Sequence, residues 1–284
     1  MTTLDIPAVQ AFMLLAELQS FTRTAEVLGT TQASVSMKLQ RLEATLGKRL
    51  VERSPRAVRL TAEGSAFQEN ARALLAAHDR AFAGGTPIRQ QLRLGISDHA
   101  AGPELVPLLE RLRVVVADLT LEVTIDFSRT LLDTFDAGKL DAVLVRQEGS
   151  RRGGEKLCED DFGWFASPGF RWTKGEELRL ATLASPCGVR AMAARALDKT
   201  RIKWIESFIG GGVTAVAAAA AAGLAVAPLA KRIAPAGLID VGPAFGLPRL
   251  GPSKVMLYSR VSDASRLTAL RVLAATLRQV AGSK

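Results

Sequence analysis

Between residues 31 and 41 the chain carries hydroxyl, amide, small and basic side chains that could read DNA. Gln and Arg recognise base edges in the major groove, small apolar groups contact thymine methyls, and Ser, Thr or Lys bind phosphates. The candidate DNA-binding residues here are Thr31, Gln32, Ala33, Ser34, Ser36, Met37, Lys38 and Arg41. The alternative interpretation is the ordinary solvated face of a surface helix, which has a similar composition.

A second set of polar residues follows short apolar runs later in the chain. If those runs are strands of an open α/β sheet, a ligand would lie beyond their carboxyl ends, next to these residues. Hydroxyls, arginines and the N–H groups of a Gly-rich helix start suit an acidic or polar small molecule. The candidate ligand-binding residues are Ser97, Asp98, His99, Ser128, Arg129, Arg146, Gly211 and Thr214. The alternative is a set of solvated loops.

The sequence Ser97-Asp98-His99 also contains the residue types of a hydrolase triad. Adjacent residues rarely face one another, and the chain has no Gly-x-Ser-x-Gly pattern around a nucleophile. The chain has only two histidines, too few for a typical cluster of metal ligands. The sequence therefore predicts no enzyme activity, no metal site and no cofactor.

The elements that would position the DNA-reading residues are a tight turn, a helix and a basic hairpin. Gly29 can take the positive φ of a helix end, and Thr31 can cap the next helix. Val35, Leu39, Leu42 and Leu46 then form one apolar helical stripe, which leaves the polar residues on the opposite face. From Lys38 to Arg59 there are seven Lys and Arg residues against two Glu residues. The hairpin that contains Arg53 and Arg56 should therefore lie on the phosphate backbone or in a minor groove.

With these features, residues 5 to 83 resemble the winged helix-turn-helix domain of LysR-type transcriptional regulators. The matching positions are Phe12, Ser20-Phe21-Thr22, Ala25, Leu28, Thr31-Gln32, Val35-Ser36, Leu42-Glu43, Leu46-Gly47, Leu50, Glu52-Arg53 and Leu60-Thr61-Ala62-Glu63-Gly64. Two positions depart from the pattern: Ala33 stands where the family usually has Pro, and Met37 where it usually has Arg. The resemblance implies binding to double-stranded promoter DNA, with an operator sequence that cannot be assumed from relatives.

After Thr61 a longer amphipathic helix is predicted, followed by a hinge rich in Gly, Thr and Pro near residues 83 to 87. The apolar stripe of this helix could pack on its own domain or on a partner chain. Because the first domain is small and the helix is long, we favour pairing with a second chain. The candidate dimerisation residues are Phe67, Ala71, Leu74, Leu75 and His78. The family resemblance implies a homodimer or a homotetramer.

Beyond the hinge, strand-like and helix-like segments alternate, which is typical of an α/β fold with parallel strands. Segments predicted as strands include residues 92–96, 119–127, 142–145, 178–183, 202–208, 224–227 and 254–258. This part resembles the family's two-lobed, periplasmic-binding-protein-like effector domain through residues 94–97, 105–109, 138–144 and 221–228. The resemblance implies a small-molecule effector bound between the lobes.

The predicted fold class is therefore α/β overall: an N-terminal winged helix-turn-helix, a long linker helix and a two-lobed effector domain. The predicted boundaries are 1–61 for the first domain, 62–88 for the linker helix and hinge, and 89–284 for the effector domain. Within the last, lobe I should comprise about 89–160 and 260–284, and lobe II about 161–259.

Composition indicates an ordinary globular protein of 284 residues with 48% hydrophobic residues and a net charge of +9. No signal-peptide pattern opens the chain, no apolar run is long enough for a membrane span, and Cys158 and Cys187 are isolated cysteines. These features predict a cytoplasmic protein with no membrane contact.

Two rival interpretations of the sequence remain. The first is a solute-binding module without gene control, which the N-terminal wing disfavours. The second is an enzyme on the two-lobed fold, which the missing catalytic cluster disfavours.

Overall fold

A computed structural model describes residues 3–54, 57–82, 90–102, 105–115, 119–147, 149 and 151–282. The helices are α1 (Ile6–Leu18), α2 (Phe21–Leu28), α3 (Gln32–Leu46), α4 (Ala62–Phe82), α5 (Leu105–Val115), α6 (Ser128–Asp136), α7 (Gly188–Lys199), α8 (Val213–Ala221), α9 (Gly242–Phe245) and α10 (Ala264–Gly282). The strands are β1 (Val51–Ser54), β2 (Ala57–Leu60), β3 (Gln90–Ser97), β4 (Leu119–Asp126), β5 (Ala142–Arg146), β6 (Glu155–Asp160), β7 (Phe162–Ala166), β8 (Leu178–Leu183), β9 (Trp204–Gly210), β10 (Ala227–Ala230), β11 (Ile239–Asp240) and β12 (Ser253–Ser259).

Helices α1 to α4 and the β1-β2 hairpin share one apolar core. The stripe predicted for the recognition helix is buried in it, with Val35, Leu39 and Leu42 at most 2% exposed. The hairpin is antiparallel, with Val51 opposite Leu60. Apolar side chains on one face of each helix thus hold α3 and the hairpin on a single support.

The first α/β lobe is built on a five-stranded sheet in the order β4-β3-β5-β12-β6. Strands β3 and β5 are parallel, whereas β12 runs antiparallel to both β5 and β6. The sheet is therefore mixed, because the chain returns from the second lobe to insert β12 between β5 and β6. Strand β4 lies at the edge of this sheet. Its alternating apolar side chains are only partly buried, and Val123 and Ile125 are 41% and 51% exposed.

The second lobe has its own core, formed by residues between Phe162 and Leu250. It contains the antiparallel sheet β10-β7-β11 and the parallel pair β8-β9, with α7 and α8 between the strands in the sequence. The strand predicted at 224–227 in fact spans Ala227–Ala230, since Gly223 adopts a φ of +75° and residues 222–224 form a turn. Strands β6 and β7 lie in a segment for which the sequence pattern predicts no strand.

The chain divides into two compact units, one comprising Met1–Leu92, Val106–Thr120 and Val261–Gln279, the other Arg93–Leu105, Leu121–Arg260 and Val280–Lys284. The domain boundaries expected from the sequence remain predictions, and the expected hinge at 83–87 lies outside the described residues. Among the described helices, none combines the length and the apolar character needed to cross a bilayer.

Candidate DNA-reading helix and inter-lobe site

The start of the recognition helix depends on Thr31, as the sequence predicts. Its Oγ1 accepts a hydrogen bond from the Ser34 amide at 3.2 Å, and α3 begins at Gln32. Just before it, Gly29 ends α2 with a φ of +62°, a conformation that a residue with a Cβ rarely adopts. Gly29 and the Thr31 cap therefore turn the chain sharply into α3. They do so although Ala33 replaces the Pro that the family usually has at this position.

The polar face of α3 is accessible to solvent. Gln32, Ala33, Met37 and Arg41 are exposed, and Ser34, Ser36 and Lys38 are at least partly exposed. Met37, at 52%, is a large apolar side chain on this otherwise polar face. The face thus offers an amide, hydroxyls, two cations and one thioether to a groove.

A carboxylate fixes the hairpin relative to the recognition helix. Glu43 Oε1 accepts hydrogen bonds from the amides of Leu50 and Val51, at 2.9 and 3.2 Å. These contacts join the end of α3 to the start of β1, so the basic hairpin is held beside the recognition helix. Arg53 lies in β1 but its side chain is outside the described part of the structure, and Arg56 lies wholly outside it.

The residues predicted to pair chains also contribute to the core of their own domain. Phe67, Leu74 and Leu75 pack against that core, Ala71 is fully buried in it, and the rings of Phe12 and Phe67 are 5.4 Å apart. His78 lies further along the same helix. Packing within the chain already accounts for this apolar stripe, and the pairing of two linker helices stays a prediction.

In the α/β part, five side chains from both lobes line one small cavity. From the first lobe come Ser97 at the end of β3, His99 two residues later, Ser128 at the start of α6 and Arg146 at the end of β5. Cys187, immediately before α7, comes from the second lobe, and its Sγ lies 3.6 Å from His99 Nε2. The cavity measures about 10 Å³, also lined by Asp98, Phe127, Gly188 and Val189.

The polar groups of this cavity are buried, and two of their atoms lack a hydrogen-bond partner among the described residues. Ser97 is 3% and His99 9% exposed, and Ser97 Oγ and His99 Nδ1 have no hydrogen-bond partner in the described structure. Burial, with a smaller effect of the Arg146 charge, lowers the pKa of His99 to about 3. His99 is therefore a neutral imidazole at physiological pH.

Contacts with Ser253 and Phe162 hold Arg146 at the cavity. Its Nη1 donates to Ser253 Oγ at 3.2 Å, and its guanidinium carbon lies 5.8 Å from the centre of the Phe162 ring. Ser253 begins β12, the strand by which the chain returns from the second lobe. The cation is thus fixed next to the segments that join the lobes.

Of the remaining predicted ligand residues, Asp98 also lines the cavity, whereas Arg129, Gly211 and Thr214 do not. Asp98 Oδ1 accepts a hydrogen bond from the Val213 amide at 3.5 Å. The N-terminus of α8, where the sequence predicts a ligand anion, therefore binds a carboxylate of the chain itself. Thr214 lines a separate apolar groove of about 630 Å³. Arg129 is exposed and pairs with Asp133, and Gly211 is exposed beyond the cavity lining. Five of the eight predicted ligand residues therefore line one cavity: Ser97, Asp98, His99, Ser128 and Arg146.

Sequence reasoning missed Cys187 as a cavity residue. The available signal was its position in Ser185-Pro186-Cys187-Gly188, between strand β8 and helix α7, where the strand-end rule applied to the other candidates also holds. Within the described residues, no group of three or more His, Cys, Asp or Glu side chains could hold a metal ion.

Comparisons with known proteins agree with this architecture. Residues 6–65 match the model of the bacterial regulatory helix-turn-helix protein of the lysR family, and residues 85–282 match the LysR substrate binding domain. The chain is 30% identical to the HTH-type transcriptional regulator PecT of Dickeya dadantii over 267 residues, covering 93% of this chain and 84% of that one. It is 27% identical to the regulator DgdR of Burkholderia cepacia over 257 residues, covering 88% and 85% of the two chains.

A solved structure of Vibrio fischeri DarR in complex with DNA is similar in fold, with a TM-score of 0.51, 15% identity and coverage of 97% of this chain and 99% of that one. The two domain matches together span nearly the whole sequence, and the helix, hairpin and two lobes described above account for both. Members of this family are regulators rather than enzymes: they bind promoter DNA, respond to small-molecule effectors and form oligomers. The chain therefore belongs to the LysR family of transcriptional regulators, with an N-terminal helix-turn-helix domain and a C-terminal effector-binding domain.

Proposed function

We propose that this regulator reads its operator with the exposed face of α3 and responds to a small carboxylate effector bound between its lobes by Ser97, Ser128 and Arg146. It would do so in the cytoplasm, as a homodimer or homotetramer on promoter DNA. The observation that carries the proposal is the pair of buried, unpartnered polar atoms, Ser97 Oγ and His99 Nδ1, beside a fixed arginine.

The donors around the cavity favour an anionic group. The hydroxyls of Ser97 and Ser128 and the guanidinium of Arg146 all donate, and a guanidinium suits a carboxylate especially well. Helices α6 and α7 begin at the cavity, so their first backbone N–H groups add positive potential. Asp98 also lines the cavity and opposes an anion, but its Oδ1 accepts a hydrogen bond from the Val213 amide.

Binding would be coupled to a movement of the lobes. A carboxylate needs more space than about 10 Å³, which is roughly one water-sized sphere. The chain passes between the two cores at Asp160–Phe162 and again at Leu250–Ser253, and two such crossings form a hinge. An effector that contacts both lobes would then favour one hinge angle by its stronger binding there.

A DNase footprint of the purified protein on DNA flanking its own gene tests the regulator against a solute-binding module without gene control. A defined protected region that changes when a binding carboxylate is added supports the proposal. Tight carboxylate binding without any protected DNA would support the solute-binding module instead.

Replacing Gln32 by Ala should weaken operator binding by about 1–3 kcal/mol while leaving binding to random DNA nearly unchanged, because a base-edge contact carries the sequence information. Fluorescence anisotropy on both DNAs at one salt concentration measures this difference. Gln10→Ala, an exposed glutamine on α1, is the matched control and should bind like the wild type. Equal losses of Gln32→Ala on both DNAs would remove Gln32 from base reading.

Replacing Ser97 by Ala should raise the Kd of a binding carboxylate about tenfold, since one buried hydrogen bond to a charged group is worth about 1.4 kcal/mol. A thermal-shift screen of short mono- and dicarboxylic acids would identify the probe, and calorimetry would measure its Kd. Arg129→Ala, an exposed cation outside the cavity, should leave that Kd unchanged. The reverse pattern, with Arg129 required and Ser97 dispensable, would place the effector elsewhere.

A further inference from the structure

Two helices of the effector-binding domain pack in one compact unit with the helix-turn-helix domain of the same chain. Helices α5 and α10 lie within residues 85–282, which match the effector-binding domain, yet they cluster with α1 to α4. Arg111 joins the two helices, because its Nη1 donates to Thr276 Oγ1 and its Nη2 to Gln279 Oε1, both at 2.9 Å. Helices α5 and α10 therefore form a single support.

Helix α1 is buried on both of its sides. Phe12 belongs to the core of its own domain, whereas Leu14 and Leu18 lie one turn apart on the roughly opposite side and are at most 3% exposed. Glu17 lies next to them on that side. Burial raises the pKa of the Glu17 carboxyl, and the charge of Arg111 on α5 opposes that rise. The side of α1 that faces away from its own core thus lies near α5.

Helix α2 ends at a carbonyl that α10 satisfies. The two carbonyls before Val27 accept the amides of Gly29 and Thr30. The Val27 carbonyl instead accepts a hydrogen bond from Arg271 Nη1 on α10, at 3.1 Å. The last turn of α2 contains no basic residue, so Arg271 supplies the positive charge that a helix C-terminus favours.

The Arg271 guanidinium also lies against the turn between α2 and α3. A Cβ added to Gly29 would be 3.3 Å from Arg271 Nη2, so the cation is directly beside this glycine. Thr31 caps α3 two residues later, and the polar face of α3 stays exposed. Arg271 therefore holds the turn without covering the face that reads DNA.

We propose that Arg271 is a positioning residue for DNA recognition: from the effector-binding domain it fixes the end of α2 and thereby the direction in which α3 leaves the turn. The inference rests on its contacts with Val27 and Gly29 and on the proposed reading of the operator by α3. It requires no effector. By thermodynamic linkage, operator binding and the packing of α10 on the turn would then favour each other.

Polar groups on the same side of the helix-turn-helix domain keep this packing modest in strength. Arg23 Nη1 on α2 is buried without a hydrogen-bond partner among the described residues, and Glu17 is a half-buried carboxylate. Both groups lose hydration that the contacts around them only partly replace. A contact of modest strength can shift when DNA binds, as a link between two domains requires.

To test the proposal, full-length variants are titrated with operator and random DNA by fluorescence anisotropy. Arg271→Ala should raise the operator Kd about fivefold and the Kd for random DNA less than about twofold, because base reading needs an oriented α3 and phosphate binding does not. Arg271→Lys keeps the cation and should stay within about twofold of the wild type. Arg195→Ala removes an exposed arginine of α7 in the other compact unit and should bind both DNAs like the wild type. Circular dichroism checks that each variant is folded.

Hydrogen exchange followed by mass spectrometry measures the contact itself. Without DNA, peptides that cover residues 25–31 should exchange about fivefold faster in Arg271→Ala than in the wild type. Operator DNA should slow exchange at residues 268–275 of the wild type and not of Arg271→Ala, because linkage acts in both directions. Exchange without DNA does not depend on how α3 reads its operator, so the two proposals fail separately.

An unchanged operator Kd in Arg271→Ala, or an equal loss in Arg195→Ala, would overturn the proposal. Equal losses of Arg271→Ala on operator and random DNA, with a weaker salt dependence, would also overturn it, because they would indicate a direct phosphate contact. Tighter operator binding by Arg271→Ala would show that the contact restrains α3 in an unproductive direction, and it would overturn the positioning role as well.

Discussion

Replacing Arg232 by Met should lower the free energy of unfolding by about 3–5 kcal/mol, one of the two largest effects expected in this protein. The Arg232 guanidinium binds Asp160 through two hydrogen bonds of 2.9 Å, and the two side chains are only 5% and 4% exposed. Methionine fills much of the same volume but removes the charge, which leaves a buried carboxylate without its main counter-ion. Chemical denaturation followed by circular dichroism measures the loss.

The matched control for Arg232→Met is Arg266→Met. Arg266 pairs with Asp263 at 2.6 Å, but both side chains are about a third exposed. A solvated pair contributes about 0–1 kcal/mol, so this variant should remain close to the wild type. The double variant Asp160→Asn/Arg232→Met should recover much of the lost stability, because it removes both buried charges. Similar losses for Arg232→Met and Arg266→Met would show that burial does not set the value of the Asp160–Arg232 pair.

This buried pair also bears on the inter-lobe site. Asp160 ends β6, Arg232 follows β10 in the second lobe, and Arg232 Nη2 also donates to the Ala100 carbonyl at 3.4 Å. Ala100 directly follows His99. The ion pair therefore anchors the turn that carries Ser97 and His99. The milder variant Arg232→Lys should change the Kd of a binding carboxylate while it loses little stability.

The DNA-reading part was predictable because local chemistry determines it. Thr31 caps α3, Gly29 adopts the positive φ of the turn, and the Val35-Leu39-Leu42 stripe is buried, all as their types and spacing indicate. These features depend on neighbours within a few helical turns. The contact of Glu43 with the start of the hairpin was not predicted, because it joins a helix residue to backbone groups seven and eight positions later.

The inter-lobe site was only partly predictable because long-range packing forms it. The strand-end rule selected Ser97, Ser128 and Arg146, which do line the cavity, but it also selected Arg129 and Gly211, which do not. A residue after a strand can face the cavity or the solvent, and the sequence does not distinguish these directions. The Asp98–Val213 and His99–Cys187 contacts span 115 and 88 positions, so no local pattern could reveal them.

Gly64 is another residue whose role depends on a long-range contact. It belongs to the family pattern, but its neighbours in the sequence do not show why a glycine is needed there. It lies in the first turn of α4, and a Cβ built there would be 2.0 Å from the Leu50 carbonyl oxygen, with the Leu50 carbonyl carbon at 2.9 Å. Backbone atoms cannot move aside as a side-chain terminus can. Gly64 is therefore required by the close approach of α4 to the residue that precedes the hairpin.

Replacing Gly64 by Ala should consequently separate α4 from Leu50, with a loss of stability of at least about 1–3 kcal/mol, typical of overpacking against atoms that cannot yield. DNA binding should weaken on cognate and random DNA alike, because Leu50 and Val51 carry the amides that fix the hairpin to Glu43. Glu63→Ala, at an exposed neighbouring position, is the control and should lose less than about 1 kcal/mol. Thermal unfolding and anisotropy measure both effects. Unchanged stability and DNA affinity in Gly64→Ala would mean that α4 and the hairpin can move apart freely, and that the packing of Gly64 on Leu50 does not position the hairpin for DNA.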